Sequence, residues 1–333
     1  MGITELQQIY AKHPNLAGLA ALVANKEIHT IFLEGFHASC PSLFASAFIR
    51  QNPAVSVFVL DDQEEAGYFY HDLVQVNGDA QVLFFPSSYK RAIKYGQKDA
   101  ANEILRTEVL SRLEKKEQVT VVTYADALAE KVVSLKELGE RTLNLKVGQQ
   151  IETEAITSQL VNFGFEHVDY VYEPGQFAMR GSILDVYSFA SEYPYRIDFF
   201  GEEIDSIRTF EVETQLSKEK KESIQIVPEL SDTSESDISF LDFIPADTLL
   251  WVKDLLWVRE RIQTVYEEVL SPQAQMAYEG DEAGAPDLKK RLIDGTSFIH
   301  RALDFRRIDF GSKAMSTPQA TLKFETSVQP VFH

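Results

Sequence analysis

Residues Gly35 to Ser42 hold the one spacing in this chain that could cradle a phosphate. The stretch KEIHTIFLEGFHASCPSLFASAFIRQ, residues 26–51, reads as an apolar strand, a turn starting at Gly35 and a helix. A phosphate-binding loop wants glycine, four residues, then Gly-Lys-Ser/Thr at that turn. Here Gly35 is followed by Phe36, His37, Ala38 and Ser39, and then by Cys40, Pro41 and Ser42. Such a loop works by turning backbone N–H groups and a lysine ammonium onto phosphate oxygens at a helix N-terminus. Pro41 brings neither an N–H nor a charge to the lysine slot. Cys40 puts a Cβ where glycine lets the backbone approach the ligand. The reading is a vestigial, non-functional phosphate loop at Gly35, Cys40, Pro41 and Ser42. The structural alternative is a plain strand-turn-helix of an α/β domain.

Other reactive groups are sparser. The seven histidines are scattered without ligand spacing, so no metal is expected. Cys40 has no base beside it in sequence, and His37 and His167 read as structural or surface residues. Asp61-Asp62 ends an apolar strand, the usual place for a ligand carboxylate in an α/β sheet, and without phosphate contacts reads as a helix-capping turn. DEAG at 281–284 imitates a Walker B box but follows AYEG rather than an apolar strand. The better-placed candidate, TLLWVKDLL, has Lys253-Asp254 where Asp-Glu would supply a general base.

The elements that would position these groups alternate along the first segment. SVFVLDD (56–62), QVLFFP (81–86) and VTVVTY (119–124) read as strands. Residues 64–76 and 98–116 read as helices, the latter with Ile104, Leu105, Val109 and Leu113 at helical spacing, and a short helix starts at Ala125. Strands separated by helices imply a parallel sheet. From Val147 to Pro228 the period changes to two, with Gly and Pro punctuation and one helix over 154–163, as in a mainly antiparallel module. KEKKES and ELSDTSESD read as a surface connection. The α/β pattern returns with a strand at TLLWV (248–252), a helix at 255–270 and a last strand at TLKFE, and 274–287 reads as loop.

The chain of 333 residues exceeds a typical single domain, and 44% hydrophobic content with 22 Phe and 13 Tyr supplies real cores. One cysteine excludes a disulfide framework and fits a reducing cytosol. MGITELQQIYAKHPN lacks the apolar core of a signal peptide, and no apolar run reaches the roughly 20 residues a membrane span needs. Cytoplasmic location and no membrane partner are expected. A net charge of −19 repels a phosphate backbone, so a protein partner is expected rather than nucleic acid.

Residues 163–189, FGFEHVDYVYEPGQFAMRGSILDVYSF, and the run YPYRIDFFGEEIDSIRTFEVETQLS that follows resemble the domain-2 signature shared by UvrB and the transcription-repair coupling factors (Mfd). UvrB keeps an intact phosphate loop and a Tyr-rich DNA-gripping hairpin. Here the loop is broken, and FFPSSYKRAIKYGQKDAAN is too short for that hairpin. The resemblance is therefore to the N-terminal, UvrB-like module of the coupling-factor family. It implies an α/β domain with a degenerate P-loop and a parallel sheet, split by an inserted, mainly antiparallel α+β domain. The segments would be domain 1a over 1–130, the β-rich insert, domain 2, over 131–229, and domain 1b over 230–333. It implies a non-catalytic fragment whose parent is an ATP-dependent DNA translocase, with ATP and magnesium used only in motor domains outside this chain. It also implies recruitment of UvrA, with Arg180, Arg196 and Phe200 at the family's docking positions. In such a parent the C-terminal domain masks this face, and RNA polymerase and DNA are reached through other domains. The alternative is a UvrB-type nucleotide-binding ATPase module.

The pattern of the strand Tyr195–Phe200 agrees with that assignment. Side chains alternate faces, so Tyr195, Ile197 and Phe199 point to a core while Arg196, Asp198 and Phe200 share the other face. Arg180 takes the parity opposite to Phe177 and Met179 and points outward as well. An aromatic beside an arginine is hot-spot composition. Gly181, directly after Arg180, is expected to bend the strand or admit a partner backbone. The competing reading packs Phe200 against a neighbouring domain and pairs the arginines with Asp185, Asp198 or Glu202.

Overall fold

The computed structural model describes residues 3–36, 40–88, 100–230, 237–269, 288–314 and 317–326. They divide into two compact units, one drawn from within 1–102, 115–132 and 237–333, the other from within 103–114 and 133–236. The fold class is the expected one: a parallel α/β sheet interrupted in sequence by a mainly antiparallel domain.

The first unit begins with helices α1 (Ile3–Ala11) and α2 (Pro14–Ala24), then alternates β1 (Thr30–Glu34), α3 (Cys40–Gln51), β2 (Ser56–Leu60), α4 (Gln63–Asn77) and β3 (Val82–Phe85). Helix α5 (Ala100–Glu114) leads to β4 (Thr120–Tyr124) and α6 (Ala125–Ala129). All five side chains of β2 and all five of β4 are buried. That is why their sequences, SVFVL and TVVTY, run apolar without alternation, as strands covered on both faces do.

The second unit contains α7 (Leu135–Glu140), β5 (Leu143–Lys146), α8 (Thr153–Asn162), β6 (Glu166–His167), β7 (Gln176–Arg180) and β8 (Ile183–Val186). Strands β9 (Tyr195–Phe200), β10 (Glu203–Phe210), β11 (Ser217–Lys221) and β12 (Ser223–Ile226) complete it. The sheet order is β11-β10-β9-β8-β7-β6, antiparallel except for the β6–β7 pair, and β12 pairs with β5 in a separate ribbon. Its core joins Phe177, Leu184, Ile197, Phe199, Ile204 and Ile207 of the sheet to Ile156 and Leu160 of α8 and to Leu145 and Ile226 of the ribbon. Residues 103–114 of α5 belong with this unit, and Ser111 donates to Gln225 of β12 at 3.3 Å. A local 3.6 periodicity identifies that helix but does not say which core its apolar stripe joins.

The chain returns to the first unit through α9 (Phe240–Phe243), β13 (Leu249–Val252), α10 (Leu255–Val269), α11 (Gly295–Ala302), β14 (Arg306–Asp309) and β15 (Ala320–Lys323). Among the described residues the parallel sheet has the order β15-β1-β14-β13-β2-β4-β3. Strands from the last segment thus separate β1 from β2, so the first segment cannot close this sheet alone.

Two local readings change, and one strand carries no local signal. KEKKES is not a connection: its first residues lie in β11, the exposed edge strand, where lysines blunt a pairing edge that polar composition makes look like a loop. Strand β14, RRID, has no apolar pattern, yet it sits in the middle of the sheet. Arg307 and Asp309, two residues apart on one face, neutralise each other there, with Nε donating to Oδ1 at 2.6 Å and both residues buried. Gly181 does not bend a strand. It lies in the two-residue turn between β7 and β8, where Arg180 pairs with Ile183, and its φ of 62° is the left-handed conformation that turn requires. ELSDTSESD from 231 to 236, the 274–287 loop, DEAG and Tyr89 to Asp99 of the short-hairpin stretch lie outside the described residues.

Candidate protein-docking site

The antiparallel sheet buries one face and opens the other, and register decides which side chains share the open one. Asp185, Arg196 and Arg208 lie in one cross-strand row, and Arg180, Ile183, Asp198 and Ser206 in the next. Met179, Leu184, Ile197 and Ile207 form the row behind them. Arg180, Arg196 and Phe200 therefore occupy one face, as alternation requires.

Their surroundings differ sharply. Phe200 ends β9 beside the Gly201-Glu202 turn and is 83% exposed, so it packs on no neighbour within the described residues. Both arginines are paired. Asp185, 1% exposed, accepts from Arg180 Nη2, from Arg196 Nε at 2.8 Å and from Arg196 Nη2 at 2.9 Å. The hydrogen bond to Asp185 raises the Arg196 pKa above its already high ordinary value, outweighing burial. Next to this cluster Asp198 accepts from Arg208 and, at 3.2 Å, from the Ser206 hydroxyl. In these two rows the guanidinium groups of Arg180, Arg196 and Arg208 interleave with the carboxylates of Asp185 and Asp198.

Several contributors were not legible in the sequence. Arg180 also donates from Nη1 to the Asp169 carbonyl at 3.0 Å and lies over the Tyr170 ring at 4.9 Å. Arg196 lies over Phe210 at 4.2 Å and donates to both the backbone oxygen and Oε1 of Gln215. Tyr170 and Tyr172 are exposed on either side of the buried Val171, and Leu216 is exposed beside Gln215. The only advance signal was the Tyr-Val-Tyr alternation. Nothing local marks Gln215, which holds a left-handed φ of 60° without being glycine or asparagine. His167 stacks on Phe177 at 4.9 Å, a structural role.

The phosphate-loop positions occupy a different setting in the first unit. His37, Ala38 and Ser39 lie outside the described residues. Gly35 has φ 87°, and a Cβ there would come within 2.2 Å of the Phe324 carbonyl oxygen. Packing against the segment after β15 therefore accounts for this glycine without any ligand. Phe324 donates its N–H to the Glu34 carbonyl at 2.8 Å, and the Thr326 hydroxyl donates to the Gly35 carbonyl. Phe36, Phe44 and Phe324 cluster at ring separations of 4.3 to 5.5 Å. Cys40 and Pro41 open α3. The Cys40 thiol is buried and bonded to Tyr10; burial pushes its pKa up, the hydrogen bond opposing. The Ser42 hydroxyl, which would face a magnesium ion in a working loop, donates to Asp72 Oδ2 at 3.0 Å.

At the carboxyl edge of the sheet, Lys253 contacts Asp61 at 2.8 Å and Glu65 at 2.5 Å. Burial lowers the Lys253 pKa, but the two carboxylates outweigh it and the net shift is upward; burial raises Asp61. Asp62 caps α4 by accepting from the Glu65 N–H at 2.9 Å, and Asp254 caps α10 by accepting from the Trp257 N–H at 2.9 Å. Two clefts of about 390 and 400 Å³ lie elsewhere; they share Gln7 and Arg50, and neither touches Gly35 to Ser42. Among the described residues no helix is long and apolar enough to cross a membrane.

Residues 143–231 match the family model of the UvrB interaction domain, which spans the whole open face. The chain is 31% identical over 196 residues to the transcription-repair-coupling factor of Bacillus subtilis, a match covering 59% of this chain and 17% of that protein. To the corresponding Escherichia coli protein it is 31% identical over 193 residues, covering 57% and 16%. A Staphylococcus aureus transcription-repair-coupling factor matches at 28% over 267 residues, 79% of this chain and 21% of the relative. The chain thus spans about one sixth to one fifth of the length of these relatives. The chain is thus similar, over part of its length, to the transcription-repair-coupling factors, and its residues 143–231 match the UvrB interaction domain.

Proposed function

We propose that this chain is a docking module that recruits UvrA on behalf of a cytoplasmic transcription-repair coupling factor. The observation that carries the reading is Phe200. A fully formed antiparallel sheet within the matched domain holds a phenylalanine 83% exposed, beside guanidinium groups fixed on the same face. Exposed aromatics next to ordered arginines are the usual anchors of protein interfaces, and a structured sheet does not need one for its own stability.

The module acts without turning over nucleotide. Pro41 supplies no cation, the Ser42 hydroxyl is held by Asp72, and Lys253 stands where a Walker B site carries its acidic pair, engaged by Asp61 and Glu65. ATP and magnesium serve the parent's motor domains, which drive movement along DNA, and other domains meet the stalled RNA polymerase. In the parent the same face is covered by the C-terminal domain until the motor engages.

The test is calorimetric titration of the purified chain into UvrA, alongside an Arg196→Ala, Phe200→Ala double variant. Saturable binding that the double variant loses supports recruitment through this face. No binding by the unmodified chain overturns it.

A further inference from the structure

The open face is built around a residue that cannot touch a partner. Asp185 lies in the middle strand, β8, with Arg196 directly opposite on β9 and Arg180 diagonal on β7. The backbones of β7 and β9 stand two strand spacings apart, about 9.5 Å. Their guanidinium groups nevertheless converge on one carboxylate that is 1% exposed. Without that carboxylate two like charges would share the site and repel.

The two arginines are not equivalent. A guanidinium carries five N–H donors. Arg196 commits four of them, to Asp185 Oδ1, Asp185 Oδ2, Gln215 Oε1 and the Gln215 carbonyl, and its side chain is 14% exposed. Arg180 commits two, to Asp185 and the Asp169 carbonyl, and its side chain is 35% exposed. Arg196 is thus turned inward, onto Gln215, which holds a left-handed φ of 60°. Arg180 keeps free donors toward solvent, and its planar fork suits a carboxylate.

We infer that Asp185 is the positioning residue of the docking face: from beneath the surface it draws the two guanidinium groups together, leaves Arg180 to meet an acidic side chain of UvrA, and commits Arg196 to holding the Gln215–Leu216 turn. This rests on the docking reading above. It assigns partner contact to Arg180 and Phe200, and makes Arg196 a positioning residue with Asp185.

Calorimetry with UvrA tests it on Asp185→Asn, Arg180→Ala, the Asp185→Asn, Arg180→Ala pair, Arg196→Ala, Arg196→Lys and Phe200→Ala, each also melted thermally. Asp185→Asn is expected to weaken binding on the order of tenfold, although it removes no surface group. The pair is expected to lose clearly less affinity than the two single losses added together, because part of what Asp185 does passes through Arg180. Arg196→Lys is expected to be as weak as Arg196→Ala, since an ammonium cannot span Asp185 and Gln215 together. Full affinity of Asp185→Asn, additive losses in the pair, or wild-type affinity of Arg196→Lys would each overturn the inference. If that happens while Phe200→Ala still weakens binding, the docking reading stands. No binding by the unmodified chain overturns both. Should Asp185→Asn not fold, the two Arg196 variants decide alone.

Discussion

Replacing Phe200 by alanine should separate binding from stability. The residue is 83% exposed and lies at the end of β9, opposite Glu203 across the hairpin. A phenylalanine can bury on the order of 150–250 Å², so roughly 150 Å² of this ring is left for a partner to cover. At about 25 cal/mol per Å² that area sets a ceiling near 4 kcal/mol. Ordering costs and the area the alanine retains lower it, which puts the expected affinity loss at roughly 2–4 kcal/mol, a factor of about 30 to 1,000 in Kd. Because the ring is 83% exposed among the described residues, unfolding free energy should change by no more than about 0.5 kcal/mol. Titration into UvrA gives the first number, and urea or thermal unfolding of the same sample gives the second. An affinity within about twofold of the parent would remove Phe200 from the interface. A large loss of stability would mean that the ring is packed in solution and that its exposure has been misread.

Further outcomes follow from the first unit. Millimolar Mg-ATP should leave the melting temperature unchanged, whereas a ligand at ~100 times its Kd would add about 2.7 kcal/mol; a clear upward shift would restore the ATPase reading. Arg307→Ala should cost about 3–5 kcal/mol in urea unfolding, since it takes the guanidinium away from the buried Asp309 carboxylate in mid-sheet, and a cost below about 1 kcal/mol would show that water reaches the pair. Tyr10 is pushed up to about 12 by burial and then by Cys40, so the folded state holds its proton where the unfolded chain releases it. Its contribution is complete below pH 10 and is lost as pH rises toward 12. Unfolding measured across that range should fall less steeply in Tyr10→Phe, and parallel curves would refute the assignment.

The sequence by itself determined the elements whose signal is local. SVFVL and TVVTY announce themselves as doubly covered strands, and the period of two over Tyr195–Phe200 already sorts Ile197 and Phe199 from Arg196 and Phe200. The broken spacing from Gly35 to Ser42 needs no coordinates either, because proline lacks its N–H in any fold. What only the tertiary structure decided depends on partners distant in sequence. Strand β14 reads as no strand until Arg307 and Asp309 are seen to neutralise each other on one face of a central position. Gly35 has the Phe324 carbonyl where a side chain would stand, a contact that no local spacing announces. The open face of the antiparallel sheet divides the same way. Alternation puts Arg180, Arg196 and Phe200 on one side of the sheet, but register brings Asp185 between the arginines and turns Arg196 inward onto Gln215. Pairing across strands is a long-range property, and a one-residue slip would send every one of these side chains to the other face.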